Sequence, residues 1–546
     1  MHVELTIKTL IEKALKQMPL DTWPDVEIEV PNDSTHGDFA TNIAMKLARV
    51  LRKAPLVIAE TLVANIPENS VIKHIEIARP GFINFHVDKR IYRDVIQKIL
   101  AAGSDYGAST LGEAQRVNIE FVSANPTGSL HIGHARGAAA GDALARIMQK
   151  AGYDVTREFY VNDAGNQINQ LVRSIDVRYR QQLGESVTMP EDGYHGAEII
   201  QLAQKIIEQH GKRFLTEAGT NYFRKFGVDH LLAALREDLE TFRVHFDVWF
   251  SEATLYESDA VKKTIDQLKT AGHTYEQEGA VWLKTTDYGD EKDRVIIKSD
   301  GSYTYLVPDI AYHADKLARG FEQLIDILGG DHHGYVPRLK AAIQMVGGQE
   351  HALEVELLQM VKVLQNGEEL KMSKRSGKAI TLRDLIDEVG VDPIRYFFAM
   401  RSLNTHMELD LDLALKESNE NPVFYAQYAH ARIASILRNA AEKSLSPSLD
   451  KPYQFETLQS DKVLELLAVL ADYPATIERA AQKRLPHKVT QYIQRLAQAF
   501  HAFYAAEMVL SDDPLATEER LVMLHAVKIV MQDALELVGV EAKERM

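Results

Sequence analysis

A strand, a tight turn and a glycine-patterned helix follow one another within residues 116–150. Residues 116–122 alternate and are rich in β-branched and aromatic side chains, which predicts a strand entering a core. The chain then turns where Pro126 fixes φ and Gly128 permits a positive φ. A helix is predicted over 133–150, and its small residues repeat every four positions on one face, at Gly133, Gly137 and Gly141. This face can therefore lie very close to a neighbouring sheet.

The start of this helix is predicted to bind an anion. A strand, a glycine turn and a helix start bring unpaired backbone N–H groups and the positive end of the helix dipole to one point. His131 and His134 lie three positions apart across this start, so both rings can face the same anion. Imidazoles in this place would donate hydrogen bonds to phosphate oxygens as charge develops on them. Two surface histidines that flank a glycine turn are the alternative, because the tetrapeptide is short.

A cluster of cations lies much further along the chain. An apolar stretch covers 354–364, and the dipeptide Asn366-Gly367 predicts a tight turn. Basic and small residues then crowd together at Lys371, Met372, Ser373, Lys374, Arg375, Ser376, Gly377 and Lys378. A loop with several cations could bind a leaving pyrophosphate, because the negative charge of this group must be stabilised while the α-phosphate is attacked. An ordinary solvated basic loop is the alternative, but the two signals together indicate an enzyme that opens ATP at its α-phosphate.

Both motifs resemble the signatures of a known enzyme class. HIGH at 131–134 and KMSKR at 371–375 look like those of class I aminoacyl-tRNA synthetases. Three longer strings closely resemble bacterial arginyl-tRNA synthetases: FVSANPTG from Phe121, HIGHARG from His131 and FYVNDAGNQ from Phe159. Further strings resemble the family's N-terminal domain and C-terminus: PNDSTHGDFATN from Pro31, PGFINF from Pro80 and VEAKERM from Val540. The resemblance runs along the whole chain.

The resemblance implies two sets of binding residues. The expected ATP-binding residues are His131, Gly133, His134, Asp331, His332, Lys371, Met372, Ser373 and Lys374. The expected arginine-binding residues are Ser123, Asn125, His134, Glu252, Tyr305 and Asp309. A pocket that selects arginine needs carboxylates and an aromatic face for its planar guanidinium. The resemblance gives these roles to Glu252, Asp309 and Tyr305, and gives the substrate's ammonium and carboxylate to Ser123, Asn125 and His134.

Two groups of these residues also have alternative explanations that involve no arginine or ATP site. Tyr305 and Asp309 are merely four positions apart near a helix start, and Asp309 would serve equally well as an N-cap. Asp331, His332 and His333 could suggest a metal site. Neighbouring residues at a strand end point in different directions, so lining of an ATP crevice is the preferred interpretation.

The implied chemistry needs no general base, because the arginine carboxylate is already a nucleophile at pH 7. His131 and His134 would stabilise the α-phosphate oxygens, while Lys371 and Lys374 would stabilise the departing pyrophosphate together with Mg²⁺ carried by ATP. The arginyl-adenylate would then react with a hydroxyl of the terminal adenosine of tRNA(Arg), the 2′-OH in class I enzymes. Activation is expected to require bound tRNA. The rival functions are a nucleotidylyltransferase of the HxGH type that does not use tRNA, and a catalytically silent tRNA-binding relative.

The composition restricts which bonds, metal sites and cellular locations are expected. Among 546 residues there is no cysteine, which excludes disulfides and thiolate zinc sites, so no structural metal is expected. No apolar run approaches the ~20 residues of a membrane span, and the first residues lack a signal-peptide pattern. A cytoplasmic protein without membrane association is therefore expected, and a monomer is the default.

A net charge of −16 is unexpected for a protein that binds tRNA, because affinity for nucleic acid depends on neutralising its phosphates. One stretch, 479–500, contains no acid. Its basic and aromatic residues recur on a helical pattern and form the expected tRNA-binding face, at Arg479, Lys483, Arg484, Lys488, Tyr492 and Arg495. Such a face could hold backbone phosphates and stack an unpaired base. A solvated helix face without a partner is the alternative.

Alternation of strands and helices predicts an α/β fold with a doubly wound parallel sheet. Its strands are expected at 117–122, 155–161, 324–328 and 360–363. Helices are expected at 7–18 and 39–52, short strands at 26–30, 75–78 and 82–86, and a helical C-terminal bundle at 422–437, 461–481, 489–505 and 519–537. The resemblance makes the sheet domain Rossmann-like, of the HUP type. Its expected domains are an N-terminal α+β module that contacts the tRNA core (1–110), a catalytic domain (113–370) with a helical insertion (about 170–300), the KMSKR loop with a stem-contact region (371–412), and a helical anticodon-binding domain (413–546).

Overall fold

The computed structural model describes residues 3–31, 33, 36–370 and 380–546. The predicted cation loop, including Lys371, Met372, Ser373 and Lys374, lies outside the described residues. The chain forms two compact units. The first combines the N-terminal residues through Tyr106 with Ile433–Ala475 and Gln498–Val530, and the second combines Gly107–Arg432, Thr476–Ala497 and Met531–Met546. These units divide the chain differently from the four domains expected above, whose boundaries stay predictions.

The helices and strands follow one another as mixed α and β structure in the first three quarters of the chain and as helices in the last. The helices are α1 Val3–Leu15, α2 Ile43–Leu51, α3 Pro55–Asn65, α4 Asp94–Ala102, α5 Ile132–Lys150, α6 Gly165–Gln182, α7 Ala197–His210, α8 Thr220–Thr241, α9 Ala253–Glu257, α10 Ala260–Thr270, α11 Leu306–Ala318, α12 Val336–Met345, α13 Leu382–Val389, α14 Val391–Ala399, α15 Leu411–Leu415, α16 Pro422–Glu442, α17 Asp461–Ala471, α18 Tyr473–Gln482, α19 His487–Ala506 and α20 Pro514–Leu537. The strands are β1 Phe39–Thr41, β2 Ile72–Ala78, β3 Phe82–Val87, β4 Arg116–Glu120, β5 Asp154–Val161, β6 Val248–Ser251, β7 Thr274–Gln277, β8 Ala280–Leu283, β9 Arg294–Ile297, β10 Gln323–Gly329, β11 Leu353–Leu358, β12 Val361–Gln365, β13 Glu368–Glu369 and β14 Met407–Asp410.

The N-terminal part of the first unit is an antiparallel sheet of order β1-β3-β2 covered by α1, α2 and α3. The prediction of a helix over 39–52 is wrong at its start, because β1 pairs with β3 and places Phe39 opposite Phe85. The helix begins only at Ile43. The strand predicted at 26–30 contributes only an isolated bridge between Glu29 and Ala40.

The helix predicted over 461–481 is two helices, α17 and α18. They meet next to Pro474, which lacks an N–H donor and is accepted only in the first turn of the second helix. Tyr106 is packed against this junction within the first unit. Its hydroxyl donates to the carbonyl of Leu470 at 3.1 Å, and its ring stacks on Tyr473 with centroids 6.2 Å apart.

The second unit is built on a five-stranded parallel sheet of order β11-β10-β4-β5-β6. This confirms the predicted α/β class and the three central strands. The assignment of residues 360–363 to this sheet is wrong, because β12 pairs with β13 and β14 in a separate small sheet. The two edge strands, β11 and β6, were not predicted. Strand β6 lies inside the expected helical insertion, which is therefore interrupted by a strand of the central sheet.

Helix α5 packs closely on the sheet at one glycine. A Cβ at Gly141 would come within 2.4 Å of the Phe121 ring, so only glycine allows this contact. The predicted close approach is thus confirmed at Gly141. At Gly137 an added Cβ would be 3.5 Å from Leu358, which is ordinary contact.

The predicted turn at 366–367 is confirmed as the connection of the hairpin between β12 and β13. Asn366 and Gly367 have φ values of 53° and 75°, the positive values that a two-residue hairpin turn of type I′ requires. None of the helices in the described part of the chain is long and apolar enough to cross a membrane.

Candidate active site

A cavity of about 900 Å³ opens at the carboxyl ends of the parallel strands, the usual place for a ligand in an open α/β sheet. It lies between the start of α5, the ends of β4, β10 and β11, and the first turns of α11. Several predicted site residues line it together: Ser123, His131, Gly133, His134, Asp309, Asp331 and His332. The described residues predicted for the phosphate site and three of those predicted for arginine, Ser123, His134 and Asp309, therefore lie on one continuous cavity.

The two histidines of the HIGH motif cap helix α5. His131 is the N-cap, and its Nδ1 accepts the backbone N–H of Gly133 at 3.1 Å. The Nδ1 of His134 accepts the backbone N–H of His131 at 3.3 Å, and the two rings stack with centroids 3.7 Å apart. A neutral imidazole that accepts through Nδ1 carries its proton on Nε2. Each ring therefore keeps one Nε2–H donor for a ligand.

Burial keeps both rings neutral. It lowers the pKa of His131, and burial together with the neighbouring His131 lowers the pKa of His134 to about 3. A neutral ring can donate through Nε2 without the cost of burying a charge. At pH 7 the pair is thus a set of uncharged hydrogen-bond donors at the positive end of a helix.

The chain segment after β4 is held in an unusual conformation. Val122 and Ser123 have positive φ values, 69° and 39°. Gly128, where a positive φ was expected, does not have one. The Ser123 hydroxyl donates to Oε1 of Glu120 at 3.0 Å and accepts the backbone N–H of Tyr160 at 3.1 Å. These two bonds hold the strained backbone, which places Ser123 at the cavity wall.

Asp309 is a half-buried residue in the first turn of α11, and it lines the cavity. The N-cap of this helix is Tyr305, so the alternative that Asp309 caps the helix is wrong. The hydroxyl of Tyr335 donates to Oδ2 of Asp309. Burial nevertheless raises the pKa of Asp309 to about 6, with Glu120 and Asp326 adding like charge.

Glu252 follows β6 and is 8% exposed. Burial raises its pKa, and the nearby carboxylates of Asp309 and Asp163 raise it further. Its neighbours are a hydroxyl and an amide: Tyr256 donates at 3.4 Å, and the Asn162 amide nitrogen, in the orientation that satisfies its neighbours, donates at 2.9 Å. Within the described ranges, no lysine or arginine forms a salt bridge with Glu252 or Asp309.

A network of buried ion pairs lies directly beneath these carboxylates. Lys316, which is fully buried, contacts Glu120 and Asp326, and His313 contacts the second oxygen of Asp326. A neighbouring buried carboxylate, Glu158, accepts two hydrogen bonds from Arg319. None of these residues was predicted as part of the site. Glu120, Glu158 and Asp326 were detectable in principle, as charged residues within or at the end of apolar strands.

Three predicted arginine-binding residues are not among those that line the cavity: Glu252, which lies beside Asp309, Tyr305 and Asn125. Tyr305 is 87% exposed, so its ring does not form part of the cavity wall. Asn125 is half-buried in the turn before α5, where its carbonyl accepts the N–H of Thr127 at 2.7 Å. Its side chain is not part of the cavity wall that the described residues form.

Comparison with known proteins identifies the family. The arginine–tRNA ligase of Bacillus subtilis is 52% identical over 530 residues, which cover 96% of this chain and 95% of the relative. The chain belongs to the arginyl-tRNA synthetase family. The arginine–tRNA ligase of Bacillus cereus strain ATCC 10987 is 53% identical over 553 residues, which cover all of this chain and 99% of the relative.

Family models divide the synthetase chain into three parts. Residues 5–87 match the arginyl tRNA synthetase N terminal domain, residues 95–402 match the catalytic domain of the class I (R) tRNA synthetases, and residues 426–546 match the DALR anticodon binding domain. The Thermus thermophilus arginyl-tRNA synthetase structure has a TM-score of 0.78 at 21% identity and covers all of both chains. The Plasmodium falciparum structure has a TM-score of 0.77 at 17% identity, covering all of this chain and 99% of the other. At these identities the structures support the fold alone.

The face predicted to bind tRNA needs correction in a synthetase of this architecture. Tyr492 is fully buried, so it cannot stack an unpaired base. The guanidinium of Arg484 forms a salt bridge with Glu354 at 3.0 Å and is 10% exposed, which gives it a structural contact. The other basic residues of the predicted face are exposed: Arg479, Lys483, Lys488 and Arg495.

Proposed function

We propose that this chain activates L-arginine with ATP to form arginyl-adenylate and transfers the arginine to tRNA(Arg). The observation that carries the choice of amino acid is a pair of neighbouring carboxylates, half-buried Asp309 in the cavity wall and buried Glu252 beside it. Each carboxylate has hydroxyl or amide neighbours, and neither has a described lysine or arginine within salt-bridge distance. A guanidinium supplies the missing positive charge and several fixed N–H donors.

Arginine enters with its guanidinium between Glu252 and Asp309. Burial raises the pKa of both carboxyls, so keeping them ionised in the empty pocket costs free energy. A bound cation removes this cost. Tyr305 lies next to the first turn of α11, immediately before the helix that carries Asp309. Its side chain turns inward to cover the guanidinium when the substrate is present.

The amino acid's other end lies toward the start of α5. Ser123 is fixed in the cavity wall by Glu120 and by the N–H of Tyr160. Together with Asn125 and His134 it holds the ammonium and carboxylate of arginine. The carboxylate is thereby placed next to the phosphate site, ready to attack in line.

The α-phosphate of ATP binds at the N-terminus of α5. The Nε2–H groups of His131 and His134 donate to its oxygens, and the helix start adds the positive end of its dipole. Asp331 and His332 follow β10 and line the nucleotide end of the same cavity. ATP brings its own Mg²⁺ as part of the substrate, so the enzyme needs no resident metal.

Lys371, Met372, Ser373 and Lys374 bind the departing pyrophosphate. They lie outside the described residues, but the segments on either side are anchored near the cavity. Leu370 donates its N–H to Val363 at 2.8 Å, and Leu382 donates its N–H to Leu130 at 2.8 Å. Thr381 forms a bridge with His131 itself. The residues that follow the loop in sequence, Thr381 and Leu382, therefore lie beside the HIGH motif, which supports a role for the loop at the β- and γ-phosphates.

The tRNA binds through the anticodon domain and the N-terminal module, and it is required for activation. Exposed Arg479, Lys483, Lys488 and Arg495 are proposed to contact its phosphates. The residues after the KMSKR loop, to about 412, contact the acceptor stem, and the N-terminal module contacts the tRNA core. We infer that the enzyme works as a monomer in the cytoplasm.

Charging of total tRNA with labelled arginine or lysine tests this function. Wild type is expected to charge tRNA with arginine only. Asp309→Asn is expected to lose charging by reducing affinity for arginine, whereas Asp315→Asn, the same change on the outer side of α11 where Asp315 pairs with Arg319, is expected to retain it. Failure of wild type to charge any tRNA with arginine would refute the proposal, and full activity of Asp309→Asn would refute the pocket assignment.

A further inference from the structure

Lys316 is a completely buried lysine for which the proposed mechanism has no use. Its Nζ lies 2.6 Å from Oε2 of Glu120 and 3.1 Å from Oδ1 of Asp326. It also lies 4.4 Å from the centre of the Tyr312 ring, a cation–π distance. A buried ammonium is costly unless it is fully paired. The three residues that contact Lys316 line the cavity, namely Glu120, Tyr312 and Asp326, whereas Lys316 itself does not.

Glu120 connects this lysine to the amino-acid end of the cavity. One oxygen of Glu120 contacts Lys316, while the other accepts the Ser123 hydroxyl at 3.0 Å. With its hydroxyl proton given to Glu120, the Ser123 oxygen is free to accept the N–H of Tyr160 at 3.1 Å. The chain Lys316, Glu120, Ser123 thus sets the rotamer and the hydrogen-bond direction of a residue at the proposed ammonium site.

His313 completes the charge pattern. Its Nε2 lies 2.8 Å from Oδ2 of Asp326, and its Nδ1 lies 2.7 Å from the carbonyl of Asp309. Both ring nitrogens face acceptors, so the ring carries both protons and is cationic. Two cations, Lys316 and His313, therefore offset two carboxylates, Glu120 and Asp326. Among the described carboxylates at the amino-acid end, those left without such an offset are Asp309 and its neighbour Glu252, whereas Asp331 lies exposed at the nucleotide end.

We propose that Lys316 is a positioning residue that acts through Glu120 on Ser123 and confines the uncompensated negative charge of the amino-acid site to its guanidinium end. This inference rests on the proposed arginine activation. A cationic amino acid carries two positive groups, the ammonium and the guanidinium. If Glu120 were free, it would be a third site that could attract the guanidinium and reverse the substrate. With Lys316 in place, Glu120 is neutralised and only orients the serine.

The test uses arginine-dependent ATP/pyrophosphate exchange in four variants of the full-length enzyme: Lys316→Met, Glu120→Gln, the double variant, and Arg319→Met as a matched control. Arg319 lies on the same helix and pairs with a buried carboxylate, Glu158, that does not contact Ser123. We expect Lys316→Met to raise KM for arginine roughly tenfold to a hundredfold, as for one charge-assisted hydrogen bond. KM for ATP should change by less than about twofold. Arg319→Met should lower the melting temperature and leave KM for arginine unchanged.

The double variant decides whether Lys316 acts through Glu120. The proposal requires strong non-additivity: Glu120→Gln and Glu120→Gln/Lys316→Met should share the same KM for arginine. This comparison also holds if Lys316→Met alone does not fold, because the double variant has no unpaired Glu120 charge. Unchanged KM in Lys316→Met, or additive effects in the cycle, would overturn the inference. Absence of arginine-dependent exchange in wild type would instead refute the proposed function.

Discussion

His134 accepts the backbone N–H of His131 through Nδ1 at 3.3 Å, while His131 accepts the N–H of Gly133 in the same way. The two signature histidines therefore cap the helix with one ring nitrogen and face the cavity with the other. This arrangement separates a structural function from a chemical one on the same side chain, and the two can be tested separately.

Replacement of His131 should separate capping from catalysis. In His131→Asn the amide oxygen can still accept the N–H of Gly133, so the melting temperature should stay near that of wild type. His131→Ala loses the cap as well and should destabilise the protein by about 0.5–2 kcal/mol. Both variants lose the Nε2–H donor, and each should reduce arginine-dependent exchange about 10²- to 10³-fold. Thermal unfolding and exchange assays measure the two effects, and normal exchange in His131→Asn would contradict the donor role.

Asp309→Asn should stabilise the protein at alkaline pH. Burial raises the pKa of Asp309 to about 6, above the ordinary 3.8 of the unfolded chain. The folded state therefore binds more protons between these values, and wild type loses stability as the pH rises through this window. At pH 8 the penalty reaches up to ~3 kcal/mol, which the neutral amide avoids. Denaturant unfolding at pH 4 and pH 8 should show a gain only at pH 8, and an equal effect at both values would contradict the charge argument.

Arginine binding should become weaker in mild acid. The guanidinium needs ionised carboxylates, but burial raises the pKa of both Asp309 and Glu252. Below about pH 6 the free enzyme holds a proton on Asp309, so KM for arginine should rise by up to about tenfold per pH unit. Calorimetry in buffers of different ionisation enthalpy should detect proton release on arginine binding at pH 6 and none at pH 8. A KM that stays constant from pH 8 to pH 5.5 would contradict this expectation.

The exposed lysines of the C-terminal region should contribute to the salt dependence of tRNA binding. Lys483 and Lys488 are exposed, and the Nζ of Lys488 donates to the amide oxygen of Gln491 at 3.2 Å. Removing each should weaken binding and reduce the slope of log K against log salt by about 0.7–0.9. Arg484→Met is the control, because that arginine already pairs with Glu354 and should leave the slope unchanged. Filter binding over a salt series measures this, and a loss of slope confined to Arg484→Met would reverse the assignment.

Local patterns in the sequence predicted the elements that form locally. The β4 and α5 unit, its close approach at Gly141 and the hairpin turn at Asn366 follow from alternation, glycine spacing and turn chemistry. Periodicity says nothing about which strand pairs with which. Strand β12 was therefore placed in the wrong sheet, and the four-residue strand β6 was missed inside a charged helical region.

The site was predicted where motifs carry it and missed where long-range pairs build it. Lys316 and Glu120 are 196 positions apart, and neither residue signals the other in the sequence. The prediction that Tyr492 stacks a base was wrong for a different reason. A helical spacing of basic residues does not show which neighbouring positions face the core, and Tyr492 lies on the buried side.

ATP/pyrophosphate exchange with each amino acid in turn, with and without total tRNA, measures directly whether this enzyme activates arginine. We expect exchange with arginine alone, dependent on added tRNA, and abolished in His134→Ala and Lys374→Ala while both variants still bind tRNA. Exchange with another amino acid, or undiminished exchange in either variant, would contradict it.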